Sequence, residues 1–137
     1  MMSYSNINKF VLCFVVFVCL FAAGCGEKGP NTATITGTIT LDGRPTASID
    51  VMYEPEMGQP GYGYTDESGQ YKIRFTQNSD GCIPGKNRVT LRAYTIPGDH
   101  RTQFLPKRYN EDANDNPDLH VDVKPGPNVF NFDVLSK

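Results

Sequence analysis

The sequence predicts an all-β fold in which seven short strands pack as an antiparallel β-sandwich. From residue 33 onward, apolar and polar residues alternate in one segment after another, which is the pattern of half-buried strands. In that range the apolar residues do not recur at helical spacing. Turn signals separate the alternating segments at intervals of about 10 to 15 residues, and strands this short need a second sheet to cover their apolar faces.

The first three strands lie between residues 35 and 64. The apolar face of the first strand carries Ile35, Gly37, Ile39 and Leu41, and its other face is lined by threonines. Asp42–Gly43 is a tight-turn signal, and a second strand follows with Ile49, Val51 and Tyr53 on its inner face. Tyr62 and Tyr64 fall on a short third strand, which ends at a turn over residues 65–69.

Four more strands are predicted after that turn. Their inner residues are Tyr71, Ile73 and Phe75; Val89, Leu91 and Ala93; Leu119, Val121 and Val123; and Phe130, Phe132 and Val134. Between the second and third of these, the segment 95–118 is predicted to be a long irregular loop. We expect Tyr109 to pack on a sheet edge with its hydroxyl bound to backbone, and Asn128 to close the last hairpin through its side chain.

An uncharged apolar run from Phe10 to Ala23 precedes the domain. Its 14 residues fit the apolar region of a signal peptide and are too few for a spanning helix. The run ends at Leu20-Phe21-Ala22-Ala23-Gly24-Cys25, small residues before a cysteine, which resembles a bacterial lipoprotein processing site. The resemblance implies a signal peptide at 1–24, a diacylglyceryl group on the sulfur of Cys25, an additional acyl chain such as palmitate, and a tether at 25–32. An uncleaved anchor and an ordinary cleaved signal are the alternatives.

Composition limits the partners of the domain at 33–137. After Cys25 the chain carries 12 Lys and Arg against 15 Asp and Glu, since only one of its 13 basic residues, Lys9, precedes Cys25. A weakly acidic chain lacks the clustered basic surface of a nucleic-acid binder. Cys82 is the only ordinary thiol of the processed chain, so we expect no intramolecular disulfide and interpret Cys82 as a core residue.

Five segments, in this order and spacing, resemble the carboxypeptidase regulatory-like domain in its short bacterial lipoprotein form. They are ITGTITLDGRP, TDESGQYKI, DGCIPGKNRVTLRAY, LPKRYN and VKPGPNVFNFDVL, and the resemblance covers essentially all of residues 33–135. The resemblance implies a transthyretin-like fold, a seven-stranded Greek-key β-sandwich. It also implies a structural or binding module, because domains of this family are rarely catalytic.

Residue patterns for metal binding and catalysis are weak. The run 110–118 alternates Asp112, Asn114 and Asn116 like a calcium loop, yet it lacks the glycine and the bidentate glutamate of such loops, so a solvated loop is favoured. His100 and His120 with Cys82 fall short of a zinc ligand set. We therefore predict no metal, no cofactor and no enzymatic activity. A hydrolase of the transthyretin-like fold is a distant third possibility, since the chain lacks the C-terminal Tyr-Arg-Gly-Ser of hydroxyisourate hydrolases.

The function predicted from the sequence is that of a non-enzymatic lipoprotein, a structural or binding module of the bacterial cell envelope. Its partners would be the membrane, through the lipid on Cys25, and an envelope protein or glycan. Gly26 after the cysteine favours the outer over the inner membrane. A carbohydrate- or peptidoglycan-binding module is the alternative, with Tyr62 and Tyr64 as its stacking platform, although the sequence alone favours packing roles for these two tyrosines.

Overall fold

The structure, a computed structural model, describes residues 31–93 and 105–137. The predicted signal peptide, Cys25 and His100 lie outside the described residues. Within the described residues no helix is long and apolar enough to cross a membrane.

Eleven short strands and three 3₁₀ helices form in the described ranges. The strands are β1 Ile35–Leu41, β2 Arg44–Pro45, β3 Ile49–Pro55, β4 Gly61–Tyr64, β5 Gln70–Lys72, β6 Arg74–Thr76, β7 Ser79–Asp80, β8 Gly85–Ala93, β9 His120–Val123, β10 Asn128–Val129 and β11 Phe132–Val134. The 3₁₀ helices are Lys107–Tyr109, Ala113–Asp115 and Pro117–Leu119. The protein is therefore all-β, as predicted.

The strands form two sheets. In the first, β1 is central: it pairs antiparallel with β2 and β5 on one edge and parallel with β10 and β11 on the other. The second sheet has the order β7-β6-β4-β3-β8-β9, and every pairing in it is antiparallel.

The segment 70–76 belongs to both sheets. Its first half, β5, pairs with β1, and its second half, β6, pairs with β4. At Ile73, between the halves, the backbone N–H donates to the carbonyl of Ile35 and the carbonyl accepts from the N–H of Gly81. One strand thus changes sheets at a buried residue and fixes the two layers to each other.

The core lies between the sheets and contains the inward residues that alternation predicts. The fully buried side chains include Ile35, Ile39, Ile49, Val51, Tyr53, Ile73, Val89, Leu91, Val123 and Val134. The buried Tyr53 hydroxyl lies 2.8 Å from the Tyr71 hydroxyl, which donates to the carbonyl of Phe130 at 2.7 Å. Gly37 permits this approach, because a Cβ there would lie 1.8 Å from the same carbonyl oxygen.

The last strand is shorter than predicted. Phe130 precedes β11, and both Phe130 and Phe132 are half-buried beside the core instead of inside it. The interruption has a physical cause, since Asn131 accepts the N–H of Thr38 with its side chain at the position where a backbone carbonyl would pair. Phe130 still contacts the core, with its ring centroid 6.1 Å from that of Tyr53.

The described part of the predicted irregular loop, residues 105–118, is ordered by the three 3₁₀ helices. They place Tyr109, Ala113 and Leu119 in the core. The hydroxyl of Tyr109 accepts the N–H of Leu135 at 3.0 Å, as predicted for a backbone-bound tyrosine. Leu119 ends the last 3₁₀ helix instead of beginning a strand.

The start of β1, the segment around Cys82 and the turn 124–127 lie at one end of the sandwich. Ala33 and Cys82 exchange backbone hydrogen bonds of 2.8 and 3.1 Å there. Asn128 closes the turn 124–127 by accepting the N–H of Lys124 and donating to the carbonyls of Lys124 and Gly126. That turn does not close a hairpin as predicted. It carries the chain from β9 in one sheet to β10 in the other, so that the last strands run parallel to β1.

Each of the seven predicted strands overlaps an observed one, but the structure has eleven strands in the described ranges. The purely antiparallel arrangement is wrong, because after this crossover β10 and β11 pair parallel with β1. The opposite end of the sandwich holds the Asp42–Gly43 turn, where both residues have positive φ, and the turn 66–69.

Candidate binding cleft

An open cleft of about 1000 Å³ lies on the outer surface where the segment 70–76 passes from one sheet to the other. Its walls are outward side chains of both sheets. The lining includes Asp50, Tyr62, Tyr64, Lys72, Arg74 and Arg92. We call this surface the tyrosine cleft.

Strand β4 reverses the usual pattern of a half-buried strand. Its inward positions are glycines, Gly61 and Gly63, and its outward positions are Tyr62 and Tyr64. The two tyrosines are 55% and 74% exposed. The packing role that the sequence favoured for these two residues is therefore wrong, because their rings face the solvent and the cleft.

The side chain of Ile73 fills the space above the two glycines. A Cβ at Gly61 would lie 2.7 Å from Cγ2 of Ile73, and one at Gly63 would lie 2.5 Å from the carbonyl oxygen of Lys72. The small inward residues thus allow β4 to lie close against the 70–76 segment. This close approach places both tyrosines at the wall of the cleft.

Register places Tyr64 in one row with two charged residues. Asp50 of β3 lies opposite Tyr64 on one side and opposite Arg92 of β8 on the other, so that the three form a row across the sheet. Outward neighbours in such a row have Cβ atoms about 4.5–5.5 Å apart. Burial raises the pKa of Asp50 above its usual value, and the charge of Arg92 opposes that rise.

A second row passes through Tyr62. Met52 of β3 lies opposite Tyr62 on one side and Arg74 of β6 on the other. Asp80 pairs with Lys72 at 2.5 Å and lies 4.0 Å from the Nε of Arg74. The cationic side chains at this end of the cleft therefore have an acidic neighbour.

Asp66, at the far end of the cleft, holds the turn 66–69 together. Its carboxylate accepts the hydroxyl and N–H of Ser68 and the N–H of Gln70. The Ser68 hydroxyl bond is the main cause of a lowered Asp66 pKa. This carboxylate has a structural role.

A second, smaller cleft of about 470 Å³ lies on the outer side of β8 and β9. Arg88 crosses it, pairing with Glu54 and donating to the side-chain oxygen of Asn114. The His120 ring nitrogen Nε2 lies 3.0 Å from the carbonyl oxygen of Asn114. These contacts attach the 3₁₀ segment to the sheet.

Two of the three residues that resemble calcium ligands in the run 110–118 have protein partners for their side chains. Asn114 accepts from Arg88, and Asn116 accepts the N–H of Asp118 while donating to the carbonyl of Arg108. In the described ranges, no group of three His, Cys, Asp or Glu side chains is placed to hold a metal ion. The two asparagines instead order the loop.

The Cys82 thiol is fully buried and lies 3.6 Å from Oδ1 of Asn87. Burial raises its pKa to about 11, so the thiol is protonated at neutral pH. The core role predicted for Cys82 is confirmed by its position.

The sequence identified Tyr62 and Tyr64 but missed Asp50 and Arg92 as their neighbours. An alternating Gly-Tyr-Gly-Tyr segment is visible in one stretch of chain. The row through Asp50 and Arg92 depends on the register of strands that are far apart in sequence. The only local signal was a charged residue at an outward strand position.

No family model and no curated protein matches the chain. Similar solved structures include a DUF3823 family protein from Parabacteroides merdae ATCC 43184, 14% identical with a TM-score of 0.43, covering 77% of this chain and 47% of that one. Another is the dioxygenase domain of a dioxygenase carbohydrate-binding protein fusion from the cellulolytic bacterium Streptomyces sp. SirexAA-E, 18% identical with a TM-score of 0.41, covering 80% and 82%. The chain spans about half the length of the DUF3823 family protein.

Proposed function

We propose that this protein is a non-enzymatic binding module of the bacterial cell envelope and that the tyrosine cleft is its ligand site. One observation carries the proposal, the reversed strand β4, which turns two glycines inward and exposes two tyrosines. Large side chains on a strand normally contribute to the core, and here they contribute contact surface instead. Tyrosines on a rigid sheet bind at little entropic cost, since each has only two side-chain torsions to fix.

Membrane anchoring through Cys25 and a carboxypeptidase regulatory-like identity belong to the same proposal. Both rest on the sequence resemblances described above. A lipid on Cys25 would hold the sandwich near the membrane surface through the short tether, with outer-membrane sorting favoured by Gly26. A purely structural module is compatible with that anchoring, but it leaves the exposed tyrosines without a role.

The non-enzymatic part of the proposal is supported by the state of two described nucleophiles, Cys82 and Ser68. Burial keeps the Cys82 thiol protonated, and the Ser68 hydroxyl is bound to the Asp66 carboxylate. His120 lies in the smaller cleft, and its ring nitrogen contacts a backbone carbonyl. A hydrolytic role remains the distant third possibility.

The test is co-sedimentation of the detergent-solubilised full chain with delipidated envelope fragments. The wild type should bind saturably, and the double substitution Tyr62→Ser with Tyr64→Ser should remove that binding while leaving the melting temperature unchanged. Met57→Ala is the matched control, because Met57 is 85% exposed and lies outside the cleft. Equal sedimentation of wild type and double variant, or a melting temperature lowered by several degrees in the variant, would refute the proposed site.

A further inference from the structure

The tyrosine cleft combines two stacking surfaces with a hydrogen-bonding pair and balanced charge. From this combination we infer that its ligand is a linear, uncharged polysaccharide chain. The inference names the ligand class of the site proposed above and therefore rests on that proposed function.

The tyrosines provide the stacking surfaces. Tyr62 and Tyr64 are consecutive outward residues of β4, so their Cα atoms are about 6.6 Å apart along the strand. A pyranose ring has an apolar face of C–H groups that packs on an aromatic ring, and a rim of hydroxyls that does not. Side chains anchored at this spacing on one face of a strand can contact two neighbouring sugar rings of one linear chain.

Asp50 and Arg92 provide the hydrogen bonds. The carboxylate of Asp50 accepts only and the guanidinium of Arg92 donates only, whereas each sugar hydroxyl both donates and accepts. Asp50 lies in register beside Tyr64, and Arg92 lies one strand farther along the same row. The hydroxyl rim of a ring stacked on Tyr64 therefore adjoins Asp50, and a sugar extending along the row reaches Arg92. A small-molecule site usually combines an apolar surface with a small number of polar groups that point toward the ligand.

The charges of the cleft favour an uncharged ligand. Lys72, Arg74 and Arg92 line it together with Asp50 and Asp66, and the adjacent Asp80 pairs with Lys72 and lies near Arg74. Three cationic groups thus face three acidic ones. A polyanion would gain little from such a surface, because it needs an excess of positive charge to offset its own desolvation.

The experiment is isothermal titration of the detergent-solubilised full chain with cellohexaose, mannohexaose and chitohexaose. Polygalacturonate serves as a polyanionic probe and oligoproline as an extended peptide probe, because aromatic-lined grooves also bind proline-rich segments. At least one neutral hexasaccharide should bind saturably. Tyr64→Ala and Asp50→Asn should each weaken that binding at least about tenfold, as expected for central contact residues. Met57→Ala should leave it unchanged.

Salt dependence provides a second readout. Binding of a neutral sugar should be nearly equal at low and high NaCl, whereas screening would weaken an ionic complex. The inference is overturned if all three neutral sugars fail to bind, or if polygalacturonate or oligoproline binds more tightly than they do. Should that happen while the double tyrosine variant still loses envelope binding, the ligand class is wrong and the binding function stands. If the double tyrosine variant loses neither envelope binding nor sugar binding, both the proposed site and its proposed ligand class are wrong.

Discussion

The hydroxyl oxygens of Tyr53 and Tyr71 lie 2.8 Å apart inside the sandwich and connect its two sheets. Tyr53 belongs to β3 of one sheet and Tyr71 to β5 of the other. Because the Tyr71 hydroxyl donates to the carbonyl of Phe130, it must accept from Tyr53. The result is a directed chain from Tyr53 to Tyr71 to the backbone before β11.

This order predicts unequal effects of removing the two hydroxyls. Tyr71→Phe leaves both the Phe130 carbonyl and the Tyr53 hydroxyl unpaired, and should lower the free energy of unfolding by about 1–3 kcal/mol. Tyr53→Phe leaves the Tyr71 bond to Phe130 intact and should cost about 0.5–1.5 kcal/mol. Urea unfolding followed by circular dichroism measures both. Equal losses would contradict the direction of the chain.

The same pair predicts loss of stability in alkali. Burial is the main cause of the raised pKa of both Tyr53 and Tyr71. A tyrosine whose folded pKa exceeds its unfolded value stabilises the fold below pH about 10, and this contribution falls as the pH rises further. The slope is up to about 1.4 kcal/mol per pH unit for each such tyrosine.

Melting temperatures measured from pH 8 to 11 would show the effect. Tyr53→Phe should reduce the alkaline slope. The buried Cys82 thiol, with its pKa raised to about 11, adds to the loss above pH about 9, so Cys82→Ala serves to separate the two contributions. A melting temperature that stays constant to pH 11 would exclude this linkage.

The difference in burial between Leu91 and Phe132 predicts which of two substitutions to alanine destabilises the fold more. Leu91→Ala, at a fully buried position, should lower the free energy of unfolding by about 2–5 kcal/mol. Phe132→Ala should cost clearly less, since its ring is only half-buried. Urea unfolding of the two variants decides the order, and a larger loss for Phe132→Ala would show that β11 packs more deeply than the structure has it.

Asn128 offers a test of the crossover turn. Asn128→Asp retains the acceptor for the N–H of Lys124 but loses both side-chain N–H donations. It places a carboxylate against two carbonyl oxygens and should cost about 1–3 kcal/mol. The adjacent Val129→Ala is the control, because Val129 is exposed and should cost little. Similar losses in the two variants would refute a special role for the amide.

Anchoring is tested at Cys25. Cys25→Ser should abolish labelling by a radioactive fatty acid and move the protein from the membrane fraction to the soluble one, since stable attachment requires two or more acyl chains. Cys82→Ser, at the buried thiol, should leave labelling intact. An unlabelled wild type whose Cys25→Ser variant remains on the membrane would indicate that residues 10–23 form an uncleaved anchor.

Alternation of apolar and polar residues predicted the inner faces of β1, β3 and β8, because each of these strands has one face covered by the other sheet and one face toward solvent. It failed where side chains replaced backbone partners. Asn131 takes the pairing position that would have continued the last strand, and Asn114 and Asn116 order a segment that composition described as a loop. The bonds from Thr38 to Asn131 and from Arg88 to Asn114 join residues far apart in the sequence, and a local pattern carries no signal for them.

The candidate site was predictable only in part for the same reason. The exposure of Tyr62 and Tyr64 depends on Ile73, which covers the glycines of β4 from the link between β5 and β6. From the sequence alone, two tyrosines alternating with two glycines could face either way. The large residues were assigned to the core because that is where such residues usually lie.

The Ala33–Cys82 bridge fixes which end of the sandwich the N-terminal segment enters. It fixes the start of β1 at the end where the turn 124–127 lies, and β1 then runs about 23 Å toward the turn 66–69. Under the anchoring proposed through Cys25, a fluorophore at Met57, in the connection from β3 to β4 at the Ala33–Cys82 end, would lie nearer the membrane than one at Glu67, in the turn at the other end. Distances from these two positions to a labelled bilayer would therefore report the tilt of the module.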